Sequence, residues 1–250
     1  MKTQDPRTLA IDVGGTGLKA SVLDASGAMT AKRVRVPTPY PCSPDALVQE
    51  LDQLVKPLPA FDRVSVGFPG VIRDGMVLSA PEFVRVGGLG TRVDPQLVEA
   101  WSDYDLARAL SRIFKRPVKV ANDADLQGAA VVKGDGLELV ITLGTGVGTA
   151  LYQNGRLAPH LELAHHPFRK GQTYNEQLGE AARERVSQAK WNARVKLAVK
   201  TLDQLLFFDH VYIGGGNSKH VTVDLGAKAS RVDNAAGILG GVKLWGRAPR

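Results

Sequence analysis

Few architectures are open to a 250-residue chain that carries the same supersecondary pattern twice, and this sequence does so. Residues 8–36 read TLAIDVGGTGLKASVLDASGAMTAKRVRV: an apolar strand, a glycine-rich turn, an alternating strand (Leu18, Ala20, Val22), a turn at Ser26-Gly27 and a third strand. Residues 137–161, LELVITLGTGVGTALYQNGRLAPHL, repeat that order, with Asn154-Gly155 as the hairpin signal. Gly14 and Gly144 hold matching places in the two copies.

The segments downstream of the two copies also match in outline. After the first, Ser43 caps a helix near 44–56 with Pro44 at its first position, and Leu47, Leu51, Leu54 and Val55 form its apolar face. A buried strand at 63–68, a helix near 103–114 and the strand PVKVA then lead to Asn122-Asp123. After the second, one long helical stretch is expected from Tyr174 to Phe208, then strand HVYI, the turn GGGN at 214–217 and a final helix near 234–244. The pattern predicts an α/β protein of two lobes, residues 1–121 and 122–250, with a cleft between them. The C-terminal helix, 234–245, is expected to pack on the first lobe.

DVGGTGLK at 12–19 fits neither a Walker loop nor a dinucleotide fingerprint, because a strand comes after it where both require a helix. The turn therefore joins antiparallel strands, and its backbone N–H groups can form an anion-binding nest. Gly14 and Gly15 let backbone approach a phosphate closely, with Thr16 beside them. Lys19 offers a point charge to a donor, and Asp12 offers a carboxylate for Mg²⁺ through water. LGTGVGT at 143–149 supplies a second nest in Gly144, Thr145 and Gly146. Gly214, Gly215, Gly216 and Asn217 read either as a loop lying against a nucleotide or as an ordinary glycine connection.

Asn122 and Asp123 end a buried strand and begin a helix, where such residues commonly cap. The functional reading adds that a carboxylate at a helix N-terminus can accept the proton of a sugar hydroxyl during phosphoryl transfer. Asn122 would then bind a neighbouring hydroxyl.

Composition narrows the classes further. The net charge of +7 is spread over both halves with no basic tail, which argues against a nucleic-acid binder. Diffuse positive charge suits anionic ligands, and equally a surface kept for solubility. No apolar run approaches bilayer length, and the start lacks the apolar stretch of a secretory signal, so no membrane association is expected. The single cysteine, Cys42, leaves no internal disulfide and no multi-cysteine zinc cage, which points to a reducing cytoplasm.

DVGGTGLK, GFPGVI at 67–72, NDAD at 122–125, LGTGVGTAL at 143–151, ELAHH at 162–166 and GGGN, in that order, resemble the ROK family of sugar kinases and repressors, nearest to its polyphosphate/ATP-dependent glucokinase branch. The resemblance spans nearly the whole chain. It implies a duplicated actin-like (ribonuclease H-like) fold, a homodimer, a hexose substrate, and ATP or inorganic polyphosphate as donor with Mg²⁺. By position Asp123 matches the family's catalytic base, while Asn122, Glu162 and His165 match sugar-binding residues. Gly14, Gly15, Thr16, Lys19, Gly144, Thr145 and Gly146 match its phosphate loops. Glucose is the first expected substrate and mannose the second.

Several departures stand out. Many members carry a zinc-binding cysteine cluster after the Glu-x-Gly-His motif. This chain has HHPFRKGQTYNEQLGE there, so no zinc site is expected at His165 or His166. Ala164 replaces the usual glycine. Glu176 reads either as a further sugar contact or as a helix-surface residue. Arg183, Lys190 and Arg194 form a basic stripe, either a polyphosphate track or a solvated face. Trp101 and Trp191 read as core or as cleft residues. The family's repressors carry an added N-terminal DNA-binding domain, for which the residues before the first glycine loop leave no room. A non-catalytic sugar-binding sensor or scaffold protein that keeps the kinase cleft is the alternative reading of the whole set.

Overall fold

The computed structural model describes residues 5–232 and 236–245. The chain divides into two compact units: residues up to Leu126 with those from Ile238 onward, and Gln127–Gly237.

The first unit contains β1 (Thr8–Gly14), β2 (Gly17–Leu23), β3 (Val34–Val36), α1 (Pro44–Val55), β4 (Arg63–Phe68), β5 (Ile72–Arg73), β6 (Met76–Val77), α2 (Pro95–Trp101), β7 (Tyr104–Asp105), α3 (Leu106–Phe114) and β8 (Val118–Asn122). Its main sheet runs β3-β2-β1-β4-β8. β1 pairs antiparallel with β2 and parallel with β4, which pairs parallel with β8. α4 (Asp123–Val131) carries the chain into the second unit.

Next come β9 (Leu137–Leu143), β10 (Val147–Gln153), β11 (Arg156–Leu157), β12 (Pro167–Arg169), β13 (Gln172–Thr173), α5 (Tyr174–Leu178), α6 (Glu180–Glu184), α7 (Gln188–Leu206), β14 (His210–Gly214), β15 (Ala229–Arg231) and α8 (Ala236–Lys243). The main sheet here runs β11-β10-β9-β14-β15, with the same alternation of antiparallel and parallel pairs. Strand for strand the two sheets share one order. This is the duplicated actin-like α/β fold.

Local chemistry explains the elements. Ser43 Oγ accepts from Ala46 N at 3.2 Å to cap α1, whose Leu47, Leu51, Leu54 and Val55 are buried. Phe68, Phe83 and Trp101 pack with ring centroids 5.2–5.6 Å apart at the centre of the first core. Burying such side chains stabilises by about 1.5–3 kcal/mol each. Trp191 anchors the second core, and both tryptophans are core residues: their Nε1 groups donate to Cys42 O and Leu178 O. In the first unit α8 is stitched to the sheet, since Ser65 Oγ donates to Gly241 O and Trp245 Nε1 donates to Ser65 Oγ.

Four expectations need correction. β2 is buried on both faces except at Lys19, because it is an interior strand with α1 against it. The helix expected from 103 starts at Leu106, because Asp103 is left-handed (φ +51°) and Tyr104–Asp105 pair with β6. The preceding helix α2, capped by Asp94 before Pro95, is not anticipated from the sequence pattern. The stretch from Tyr174 to Phe208 is three helices, broken at Gly179 and restarted by the Ser187 cap. Arg183 therefore lies on α6, apart from Lys190 and Arg194 on α7, and the basic stripe is not one helical face. The terminal helix is described only from Ala236, since 233–235 lie outside the described residues.

Candidate functional site

In the first unit Asp12 and Lys19 stand directly opposite across the β1–β2 hairpin, Nζ to Oδ2 2.9 Å. The two-residue turn Gly15-Thr16 sets that register. No glycine of this turn is left-handed, so glycine serves close approach here rather than a special φ. Thr38 Oγ1 donates to Gly14 O at 2.5 Å and fixes the turn from behind. Among the described residues no hydrogen bond uses the N–H groups of Gly15 or Thr16, which leaves two donors for an anion.

Asp123 opens α4. Ala124 N donates both to Asp123 Oδ1 (2.9 Å) and to Asn122 Oδ1 (2.8 Å), and Asn122 Nδ2 donates to Gly70 O at 3.0 Å. Asn122 is buried, whereas Asp123 meets water on one side while protein crowds the rest. That crowding raises the Asp123 carboxyl to about 6; the charges of Asp12 and Asp125 push the same way, and the Ala124 N–H opposes them. An aspartate raised to about 6 beside a glycine hairpin with two unbonded N–H groups is suited to take up a proton.

Sequence reasoning missed Glu82. Its half-buried carboxylate lies over Gly15, where a β-carbon would collide with it, and burial raises its carboxyl. Nothing local signals this contact between residues far apart in sequence.

In the second unit the β9–β10 hairpin is braced from behind. Gly144 O accepts from Glu180 N and Asn217 Nδ2, both at 3.0 Å, and Asn175 Oδ1 accepts from Val147 N at 2.8 Å. The helix break at Gly179 serves this bracing, since a side chain there would strike Thr145 O. The N–H groups of Thr145 and Gly146 make no hydrogen bond among the described residues. Gly214 ends β14, and Gly215 is left-handed (φ +84°) with its α-carbon against the Leu143 backbone. Gly216 and Asn217 come next, and Asn217 is buried with its N–H donating to Leu143 O. The GGGN loop is thereby bonded to the glycine hairpin.

Glu162 sits between two histidines, Oε1 3.4 Å from His160 Nε2 and Oε2 3.7 Å from His165 Nε2. His160, facing Glu162, holds its carboxyl below the usual range, with His165 adding to the effect against partial burial. Ala164 is buried in the short helical turn Leu163–His165. Glu176 is exposed and closes the capping box of α5, accepting from Thr173 N and Oγ1. Arg183 pairs with Glu184 at 3.3 Å, and Arg194 donates to Gln177 O. Among the described residues no group of three or more histidine, cysteine, aspartate or glutamate side chains is arranged to hold a metal, and no helix is long and apolar enough to cross a membrane.

Two glycine hairpins, one in each half of a duplicated actin-like fold, with an aspartate at a helix head beside the first, define the phosphotransferase class. The ROK family model matches residues 8–160, and the chain belongs to the ROK family. It is 27% identical over 218 residues to a polyphosphate glucokinase of Mycobacterium tuberculosis, covering 84% of this chain and 77% of that protein. Over 155 residues it is 34% identical to an N-acetylmannosamine kinase of Escherichia coli, 60% of this chain and 48% of that one. The inorganic polyphosphate/ATP-glucomannokinase of Arthrobacter sp. strain KM is similar in structure, with TM-score 0.75, 31% identity and coverage of 95% and 97% of the two chains.

Proposed function

We propose that the protein is a sugar kinase that transfers a phosphoryl group from ATP or inorganic polyphosphate to the 6-hydroxyl of a hexose, glucose first and mannose second. The observation that carries this reading is Asp123: a solvent-reached carboxyl raised to about 6 and within electrostatic reach of the Asp12–Lys19 hairpin. As the sugar oxygen bonds to the terminal phosphorus, its proton passes to Asp123 and the donor's bridging P–O bond breaks, leaving the electron pair on the departing phosphate. Asn122, Glu162 and His165 bind hydroxyls. Glu176 is a weaker claimant, because its carboxylate is spent on the α5 cap. Backbone donors at Gly14–Thr16 and Gly144–Gly146, with Lys19, hold the phosphates, and Gly214–Asn217 lies along a nucleotide.

Mg²⁺ fits one position. Asp12 is half exposed, and only its Oδ2 is paired with Lys19, so Oδ1 remains for an ion held through water. When bound, the ion neutralises donor charge. The reading extends to a cytoplasmic homodimer, as family membership suggests.

Hexose 6-phosphate formation, measured for a panel of sugars each offered ATP and polyphosphate, tests the proposal. Product with glucose or mannose supports it. No product from any pair, with hexose binding retained, would make the protein a sugar sensor.

A further inference from the structure

Glu162 is the one proposed sugar ligand whose carboxylate is faced by an imidazole at each oxygen, and the two imidazoles differ in kind. The His165 side chain is 65% exposed, whereas that of His160 is 3% exposed. The segment is anchored by Thr149 Oγ1, itself buried on β10, which donates to Leu161 O at 2.9 Å. His165 N returns to Glu162 O at 3.0 Å and closes the short turn after it. Backbone on both sides of Glu162 is thus fixed, and His160 approaches its carboxylate from the protein side.

We infer that His160 is a positioning residue: it holds Glu162 Oε1 from the buried side, so that the remaining edge of the carboxylate meets the hexose in a fixed orientation. The inference rests on the assignment of Glu162 to sugar binding and adds to it the group that orients that ligand. A carboxylate can accept about four hydrogen bonds. With Oε1 facing His160, the accepting directions left for hydroxyls lie mainly at Oε2, beside exposed His165. Freezing a glutamate before the ligand arrives removes an entropic cost that binding would otherwise carry. The fixed orientation also selects which pair of neighbouring hydroxyls the carboxylate spans, which makes His160 a determinant of hexose preference that itself never touches sugar.

The test uses three substitutions of His160 in the full chain, with Glu162→Gln as the control. His160→Phe keeps the ring volume and removes the nitrogen. His160→Gln carries an amide nitrogen at about the reach of Nε2, and His160→Asn carries one a bond too short. KM and kcat are measured for glucose and mannose, with folding followed by thermal unfolding. His160→Phe and His160→Asn should raise the hexose KM about tenfold with kcat changed by less than about twofold, and His160→Gln should recover most of the loss. Donor KM should not move. If His160→Phe fails to fold, the comparison of Gln with Asn decides alone. Equal hexose KM for those two variants overturns the inference, as does a wild-type KM in all three while Glu162→Gln raises it. If Glu162→Gln itself leaves hexose KM unchanged, the assignment of Glu162 falls, and the role of His160 falls with it.

Discussion

The proposed role of Asp123 as base commits the protein to a pH dependence that an ordinary aspartate would not show. A general base works deprotonated, so a carboxyl raised to about 6 costs activity as the pH falls through that value. One pH unit below its midpoint, roughly one carboxyl in eleven remains ionised, whereas an unperturbed aspartate would still be ionised in roughly nine cases of ten. kcat/KM for hexose should therefore drop about tenfold between its plateau and pH 5. Burial is the largest cause and the Asp12 charge comes next among those that raise the carboxyl, so Asp12→Asn should move the acid limb to lower pH whatever it does to the plateau. Asp123→Asn should lose about 10²–10⁴ of the rate, the usual contribution of a positioned base. Initial rates from pH 5 to 8 at constant ionic strength give the profile, and running ATP and polyphosphate in parallel separates the enzyme's titration from the donor's. A profile flat down to pH 5 with folded protein, or Asp123→Asn retaining more than about a tenth of the rate, refutes the reasoning.

The same geometry sets three other outcomes. Lys19→Gln removes the only side-chain cation paired at the first hairpin among the described residues; donor KM should rise about tenfold while hexose KM holds, as donor titrations would show. Glu82→Gln takes a half-buried carboxylate away from the Gly15 turn, and relief of like charge should lower donor KM about two- to fivefold; an unchanged KM would place Glu82 away from the donor. Gly215→Ala forces a left-handed residue against the Leu143 backbone and should cost about 2–4 kcal/mol in denaturant unfolding, with loss of donor binding first.

Periodic and turn-bounded features are legible in the chain. The duplication, RVSVGF as a strand, the Ser43 cap and the Asn154-Gly155 turn, whose residues have φ +51° and +73°, are all local, and the structure has them where the sequence puts them. Breaks inside helical stretches are harder to see. Gly179 interrupts Tyr174–Phe208 because a helix end has to reach Thr145, and only the fold says what a glycine must approach. β7 reads as helix in the sequence because its pairing with β6 is made with residues nearly thirty positions earlier. Asp123, Asp12, Lys19 and Glu162 can be singled out by residue type and motif, but Glu82 and His160 cannot, since nothing in APEF or APHL names the partner.

The sequence by itself determined the doubled strand–turn–strand plan and the family, while the order of strands in each sheet came from the structure. Hydrophobic period and turn chemistry act over a few residues, and a repeated motif is visible without coordinates. Tertiary structure decided the electrostatic state of the site: that Asp12 and Lys19 pair across the hairpin, that protein crowding lifts Asp123, that Glu162 is faced by a buried and an exposed imidazole, and that Glu176 is occupied as a cap. Desolvation and charge proximity depend on what packs around a group from distant parts of the chain, and no local pattern encodes that.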